Sequence, residues 1–394
     1  MKQLWKNFKD VLKENKGIFS IGFGDSIGKF ISAIFWFVLA GLLGPEQYGE
    51  IHYFLAIAGM GQIFSLLATS QTITVYAAKK IRIEPTLILI SLLSGSIAFL
   101  VIIINFMRLD VAFLVLGFII IELSNGVLLG NKKYSDYSKY FLTQKVLLFI
   151  LGIVFFYAFG IEGIISGIAL SYVPYVIIII KEFKKTKINF SLVRPRKGFI
   201  VNNYFTVLSG SFGSQIDKFI VVPILGFAVL GEYALALQIV LVLSIGNNII
   251  FKYLLQQDAV GIINKNLKRM AIIFSVVITC FGVIVLPAII PTLFPEYEKT
   301  VDAIRILSLV IIPEMISLIY TSKLLGLEKS KFVLISNIIS TAVLIVGMIT
   351  LGQIFGIFGI VVMVLISTCI QLLILIIGKK RIERNLNYER NDED

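Results

Sequence analysis

Cysteine and histidine are nearly missing from this chain: Cys280, Cys369 and His52 are all it has in 394 residues. Both cysteines fall inside apolar runs, so no disulfide framework is implied. With no HExxH pattern and no Cys/His cluster, no zinc site or other metal centre is expected. Charge is also scarce. Only 15% of residues are charged against 57% hydrophobic, and the mean hydropathy is +0.92. A soluble protein of this length cannot hide so much apolar side chain, because much of its surface must face water. Long polar loops are lacking too: the connections between apolar runs reach about 20 residues on one side and about 10 on the other, so nearly all of the chain is span or short turn.

What is there is a series of apolar runs. A helix needs about 20 mostly apolar residues to cross a bilayer, and the chain offers twelve such segments, near 18–42, 47–68, 85–106, 110–130, 140–159, 161–180, 204–227, 230–250, 268–290, 301–325, 331–351 and 356–378. The expected fold is therefore all-α and integral to the membrane. The first run is too long for the core of a signal peptide and continues as a span. The net charge of +12 is explained by topology, not by nucleic acid. Lysine and arginine gather in alternate connections, such as Lys79–Arg82, Lys132–Lys139, Lys181–Lys197 and Lys379–Arg384, while the opposite connections carry Glu46, Asp110, Glu162, Glu232, Glu296 and Glu298. By the positive-inside rule both termini are cytoplasmic, in a plasma-membrane protein. Residues 1–16 read as an amphipathic helix on the inner leaflet, with Leu4, Trp5, Phe8, Val11 and Leu12 on one face and lysines largely off it.

The chain repeats itself. Phe23-Gly24-x-x-Ile27-x-Lys29-Phe30-Ile31 in the first span returns as Phe212-Gly213-x-x-Ile216-x-Lys218-Phe219-Ile220 in the seventh. Ile119-Ile120-x-Glu122 returns as Ile311-Ile312-x-Glu314, Ser138-Lys139-Tyr140-x-Leu142 as Ser330-Lys331-Phe332-x-Leu334, and Gly160-Ile161-x-Gly163-Ile164 as Gly356-Ile357-x-Gly359-Ile360. Four matches in the same order, at offsets of 189 to 196 residues, define two six-helix bundles related by a pseudo-twofold axis along the membrane normal. The expected organisation is a cytoplasmic helix over 1–16, a first bundle over 17–181, a basic linker over 182–202, a second bundle over 203–378 and a cytoplasmic tail over 379–394. Transporters of this design bind substrate between the halves.

Charges within spans mark candidate sites, because a lysine or carboxylate at the bilayer centre costs about 2.5–3.5 kcal/mol and calls for a cavity or a partner. Lys29 and Lys218 occupy matching repeat positions, as do Glu122 and Glu314. Asp25 lies one turn before Lys29 and can pair with it. Asp217 is adjacent to Lys218, and neighbouring side chains on a helix diverge. Two readings stand side by side. In one, Lys29 and Lys218, with Asp25 and Asp217 beside them, bind a diphosphate headgroup. In the other, the lysines and Glu122/Glu314 are structural ion pairs between helices. The two glutamates are also candidates for proton or cation coupling. Lys145 and Arg305 lie nearer the ends of their spans and are candidates for a cavity rim, with snorkelling as the plain alternative. Gly24-x-x-x-Gly28-Lys29 mimics a phosphate loop but is one residue short, and Phe30 replaces the Ser/Thr, so no nucleotide and no cofactor is expected. Instead Gly24 and Gly28 suit close helix packing. Pro174, Pro223, Pro287 and Pro313 interrupt helix hydrogen bonding within spans.

The chain resembles the Wzx-type polysaccharide and oligosaccharide flippases. The resemblance is carried by Gly44-Pro45-Glu46-Gln47-Tyr48-Gly49, Asp217-Lys218-Phe219, Gly231-Glu232-Tyr233, Pro295-Glu296-Tyr297, Ala303-Ile304-Arg305-Ile306-Leu307 and the two Gly-Ile-x-Gly-Ile openings. It covers nearly the whole chain. That family belongs to the multidrug, oligosaccharidyl-lipid and polysaccharide exporter superfamily. The resemblance implies two bundles facing each other in a V around a central, cationic cavity, and transfer of a polyprenyl-diphosphate-linked oligosaccharide from the inner to the outer leaflet. It further implies glycosyltransferases, a polymerase or a ligase as pathway partners. Glu122 and Glu314 match no motif of the family. The rival reading is a cation-coupled drug exporter of the same superfamily, which favours an acidic, aromatic cavity. A membrane enzyme is not expected, since no paired carboxylates lie in a loop large enough for acid/base chemistry.

Overall fold

The computed structural model describes residues 16–67, 70–259, 264–297, 299–327 and 329–391, so the helix expected over 1–16 lies outside them but for its last residue. The regular structure of the described residues is helical throughout: α1 Lys16–Ser65, α2 Ser70–Ala78, α3 Glu84–Phe106, α4 Leu109–Gly130, α5 Tyr134–Phe159, α6 Ile161–Leu170, α7 Val173–Lys185, α8 Lys197–Leu243, α9 Ile245–Ala259, α10 Lys265–Cys280, α11 Leu286–Leu293, α12 Thr300–Leu309, α13 Ile311–Gly326, α14 Ser330–Phe355 and α15 Ile357–Asn391. Among the described residues, ten helical stretches are long and apolar enough to cross a bilayer. Two of them, within α1 and α8, are broken at Gly44 (φ 68°, ψ 174°) and Gly226 (φ 83°, ψ 178°). Counting each of those as a pair gives twelve traverses. The chain is a multi-pass membrane protein of all-α fold.

The described chain divides into two compact units. One holds the residues up to Trp36 together with Phe54–Gln215; the other holds Phe37–Tyr53 and the chain from Ile216 onward. The hairpin about Gly44 thus belongs to the second unit, although it is encoded in the first half of the sequence. Leu39, Tyr48 and Ile51 are fully buried there, and the Tyr297 hydroxyl donates to the Ala40 carbonyl at 3.0 Å. The helix α1 is broken at Gly44. A positive φ there suits glycine, which has no Cβ to clash. Tyr297 lies in the connection before α12. Burial, then the carboxylates of Glu296 and Glu232, push its phenol above the ordinary range, so it stays a donor.

The repeat seen in the sequence is present in the backbone. Gly160 and Gly356 both take positive φ, 71° and 60°, between paired helices. A methyl on Gly163 would run into the Phe155 carbonyl, and one on Gly359 into that of Leu351. Both pairs are separated by the same 196 residues, so α5/α6 and α14/α15 turn in the same way. In the first unit Gly24 and Gly28 lie against Ser138, Phe141 and the stem of Lys145 on α5, the close approach expected of small residues four apart. Three of the four span prolines sit where helices begin or break, and Pro223 lies inside α8, three residues before Gly226. Pro174 opens α7 after a gap at Ser171–Tyr172, Pro287 follows a π-helical turn at Phe281–Val285, and Pro313 lies in the first turn of α13 after a break at Val310. Hydroxyls near the breaks add bonds to backbone carbonyls: Ser171 Oγ donates to the Ile168 carbonyl at 2.6 Å and Thr279 Oγ1 to that of Ser308 at 3.2 Å. The basic linker forms two short 3-10 turns, and α8 starts at Lys197, before the span expected at 204. Asn189 N donates to Thr86 Oγ1 at 2.8 Å and Asn203 Nδ2 to Thr72 Oγ1 at 2.7 Å, fastening this segment to the first unit.

Candidate functional site

Both units place charged side chains within their long apolar helices. In the first, Lys29 is exposed on α1 and makes no ion pair with Asp25. The pairing expected from their spacing is replaced by a longer-range contact: Tyr137 on α5 donates its hydroxyl to Asp25 Oδ1 at 3.1 Å. Tyr137 comes within reach because Gly24 and Gly28 let α5 approach. Its ring stacks on Phe141, with centroids 6.0 Å apart, and the Lys145 ammonium lies 5.2 Å from the Phe141 centroid. Lys145 is therefore half-buried against α1, its stem beside Gly28.

Glu122 on α4 faces a separate polar cavity of about 210 Å³, lined also by Gly59, Gln62, Tyr204, Ser211, Ser214 and Gln215. Gly59 makes room for the Gln215 amide, and Gln62 Nε2 donates to the Phe118 carbonyl at 3.2 Å. Among the described residues no ion pair joins Glu122 to Lys29.

In the second unit the sequence expectation for Asp217 and Lys218 is corrected. The two do satisfy each other. Lys218 Nζ stands 2.8 Å from Asp217 Oδ1 and 3.1 Å from Oδ2, and the Lys218 backbone N–H donates to Oδ1 at 3.0 Å. Cα–Cβ vectors of neighbours do diverge on a helix, but the flexible four-carbon lysine stem folds back across that angle. Tyr233 completes the arrangement, donating to Oδ2 at 3.1 Å. Asp217 is buried and Lys218 half-buried. Glu314 accepts from Ser244 Oγ at 3.0 Å, beside buried Asn247, which accepts from Ser275 Oγ at 3.1 Å. Among the described residues no ion pair joins Glu314 to Lys218. Arg305 pairs with Asp302 at 3.0 Å, with both side chains exposed.

The lysines match in sequence but not in register. Lys29 stands fifteen residues before the break at Gly44, and Lys218 eight before the break at Gly226. Seven residues are two turns, so each lysine keeps nearly the same helix face. Along the axis, however, the shift is about 10 Å. The turns themselves repeat at a further offset, 182 residues. Within the second unit Gly49 lies against the backbone of Phe227, and Gly231 against that of Pro45. Gly44 and Gly226, Pro45 and Phe227, and Gly49 and Gly231 are all 182 apart, so the crossing is reciprocal. The sequence carried this signal in two short glycine motifs, which were legible as family features but not as a repeat. Tyr137 and Ser244 had no such signal, because they reach the charged groups from outside the helices that carry them, and Tyr233 was legible only as part of the Gly231-Glu232-Tyr233 motif.

No protein-family model and no curated protein matches this sequence. Solved structures do match in fold. The lipid II flippase MurJ in an inward closed conformation aligns with a TM-score of 0.74 at 13% identity, over 91% of this chain and 87% of that one. An inward-facing multidrug resistance MATE family transporter of the MOP superfamily gives 0.66 at 15% identity, over 91% and 94%. A MOP superfamily transporter from Pyrococcus furiosus, described with a binding pocket of reverse polarity, gives 0.58 at 15% identity, over 93% and 96%. The chain has the fold of these MOP-superfamily transporters.

Proposed function

We propose that this protein is a flippase of the Wzx type, which moves a polyprenyl-diphosphate-linked oligosaccharide from the inner to the outer leaflet by alternating access, with both termini in the cytoplasm. The observation that carries the reading is Lys29: a cation left exposed midway along an apolar membrane helix and not neutralised by Asp25 or Glu122. A compact ammonium suits a phosphate, and a sugar headgroup needs a protein path because its hydroxyls would lose their hydrogen bonds in hydrocarbon. Lys218, already held by Asp217, contributes a weaker, screened charge. The fold shared with a lipid II flippase supports the same reading.

A cation-coupled exporter of small molecules is the second reading, favoured by Glu122 in its polar cavity. One experiment separates them. The purified protein is reconstituted in liposomes with a fluorescent polyprenyl-diphosphate oligosaccharide, and leaflet exchange is measured for wild type, Lys29→Ala and Lys218→Ala. Fast exchange that collapses in Lys29→Ala and falls less in Lys218→Ala is the expected result. No exchange of the endogenous lipid, together with binding of cationic dyes, would replace the proposal with the exporter reading.

A further inference from the structure

The first unit holds another cavity, of about 620 Å³, at the helix ends that carry Arg108, Asp110 and Glu162, within the size range of small-ligand sites. It runs between α4 on one side and α6 and α7 on the other. The break at Ser171–Tyr172 shapes its deep end. There α6 stops at Leu170 and α7 starts at Val173, and the buried Tyr172 ring turns onto Gly117 of α4, where a methyl would meet it at 2.7 Å. The lining is apolar, with Leu116 and Ile120 from α4 and Ala169 and Val176 from the facing helices. Leu109, Phe113, Leu170 and Val173 along it are exposed. On membrane helices such side chains face lipid, so the cavity is a crevice open sideways to acyl chains. From Asp110 to Ile120 it follows α4 for ten residues, which is about 15 Å. That is one leaflet of a hydrocarbon core about 30 Å thick.

Charge at the mouth is unevenly matched. Arg108 is committed: its Nε donates to Asp110 Oδ1 at 3.0 Å, its Nη2 to Oδ2 at 2.8 Å, and its guanidinium carbon lies 4.2 Å from the centre of the Phe54 ring. Arg108 and Asp110 therefore neutralise each other. Glu162 stands outside that pair. Among the described residues its one ion-pair contact is with Arg108 Nη1 at 3.9 Å, too long for a hydrogen bond, and its side chain is 73% exposed. One arginine against two carboxylates leaves the lining with a net negative charge. We infer that the crevice is a binding site for a phospholipid with a primary amine, phosphatidylethanolamine, with its ammonium on Glu162 and one acyl chain along Leu116, Ile120 and Ala169. A primary ammonium brings three N–H donors to a carboxylate. A choline headgroup, fully methylated on nitrogen, brings none, and a glycerol headgroup brings no positive charge. The inference depends neither on what the protein transports nor on which side of the membrane this end faces.

The test uses the full chain, purified in detergent and titrated with phosphatidylethanolamine, phosphatidylcholine or phosphatidylglycerol of matched acyl chains, with retained lipid counted by native mass spectrometry. Three variants are compared with wild type: Glu162→Gln, Ala169→Phe, which fills the crevice, and Glu46→Gln, which removes an exposed carboxylate from the second unit. Wild type is expected to retain phosphatidylethanolamine ahead of the other two lipids. Glu162→Gln should bind it at least about fivefold more weakly, near the level of phosphatidylcholine, as the loss of one nearby charge implies. Ala169→Phe should lose both lipids, and Glu46→Gln should behave as wild type. Glu162 is exposed, so its variant carries the test alone if Ala169→Phe does not fold. Equal retention of phosphatidylethanolamine and phosphatidylcholine by wild type, or unchanged retention in Glu162→Gln, would overturn the inference. An equal loss in Glu46→Gln would do the same, by reducing the site to general surface attraction.

Discussion

Asp217 binds its own chain neighbour: the Lys218 ammonium lies 2.8 Å from one carboxylate oxygen while the Tyr233 hydroxyl donates to the other at 3.1 Å. The partners are not equally dependent. Without Lys218, the carboxylate still has the Tyr233 hydroxyl and the Lys218 position's backbone N–H. Without Asp217, the Lys218 ammonium and the Tyr233 hydroxyl both lose the carboxylate they share. Removing one partner of a buried pair costs about 3–5 kcal/mol when the other is stranded. We predict that Asp217→Ala lowers the thermal midpoint of the detergent-solubilised protein well below that of Lys218→Ala. Equal midpoints would show that the network does not hold the helix.

Lys29 should behave in the opposite way. It is exposed and unpaired with Asp25, so Lys29→Gln is predicted to leave the thermal midpoint within about a degree or two, as surface changes within ±0.5 kcal/mol do, while leaflet exchange falls at least tenfold. A variant that lost both stability and exchange would return Lys29 to a structural role.

The reciprocal crossing at Gly49 and Gly231 predicts non-additive damage. A methyl at either glycine meets backbone, and such overpacking costs about 1–3 kcal/mol. One small separation of the crossing helices relieves both clashes, so Gly49→Ala/Gly231→Ala should destabilise by clearly less than the sum of the single changes. Thermal melts of the four proteins in one detergent supply the comparison, and strict additivity would mean that each glycine relaxes on its own.

Glu122 and Glu314 match in sequence but differ in surroundings. Glu122 borders a polar cavity, whereas Glu314 is engaged by Ser244. If either serves ion coupling, the accessible one is the better placed. We predict that transport in Glu122→Gln liposomes stops responding to an imposed pH or sodium gradient, while Glu314→Gln and Ser244→Ala keep the response. A wild-type rate independent of both gradients would remove the coupling role from both glutamates.

Much of this was readable in advance because lipid restricts what a chain can do. Spans appear as apolar runs, and the Gly160/Gly356 turns appear as repeated motifs because only glycine accepts their backbone. Gly24 and Gly28 announced a close helix contact, and α5 supplies it. What escaped reading depends on side-chain reach and on distant partners. Lysine flexibility lets Lys218 return to Asp217, which vector geometry along the helix did not allow. Asp25 is served by Tyr137, more than a hundred residues away. The register shift between Lys29 and Lys218 was hidden because a displacement of two full turns leaves the pattern of faces intact.

The ownership of residues 37–53 bears on how this chain could be divided or built. Cutting it in the 182–202 linker would yield two pieces of similar length, yet the second would lack the hairpin that buries Leu39, Tyr48 and Ile51 in its core and receives the Tyr297 hydroxyl. The halves of the sequence are thus not interchangeable parts. A fragment beginning after the linker would carry an open, apolar seat, and recovery of its fold would require the first fragment to be supplied alongside it, contributing one of its own turns as a missing piece of its neighbour.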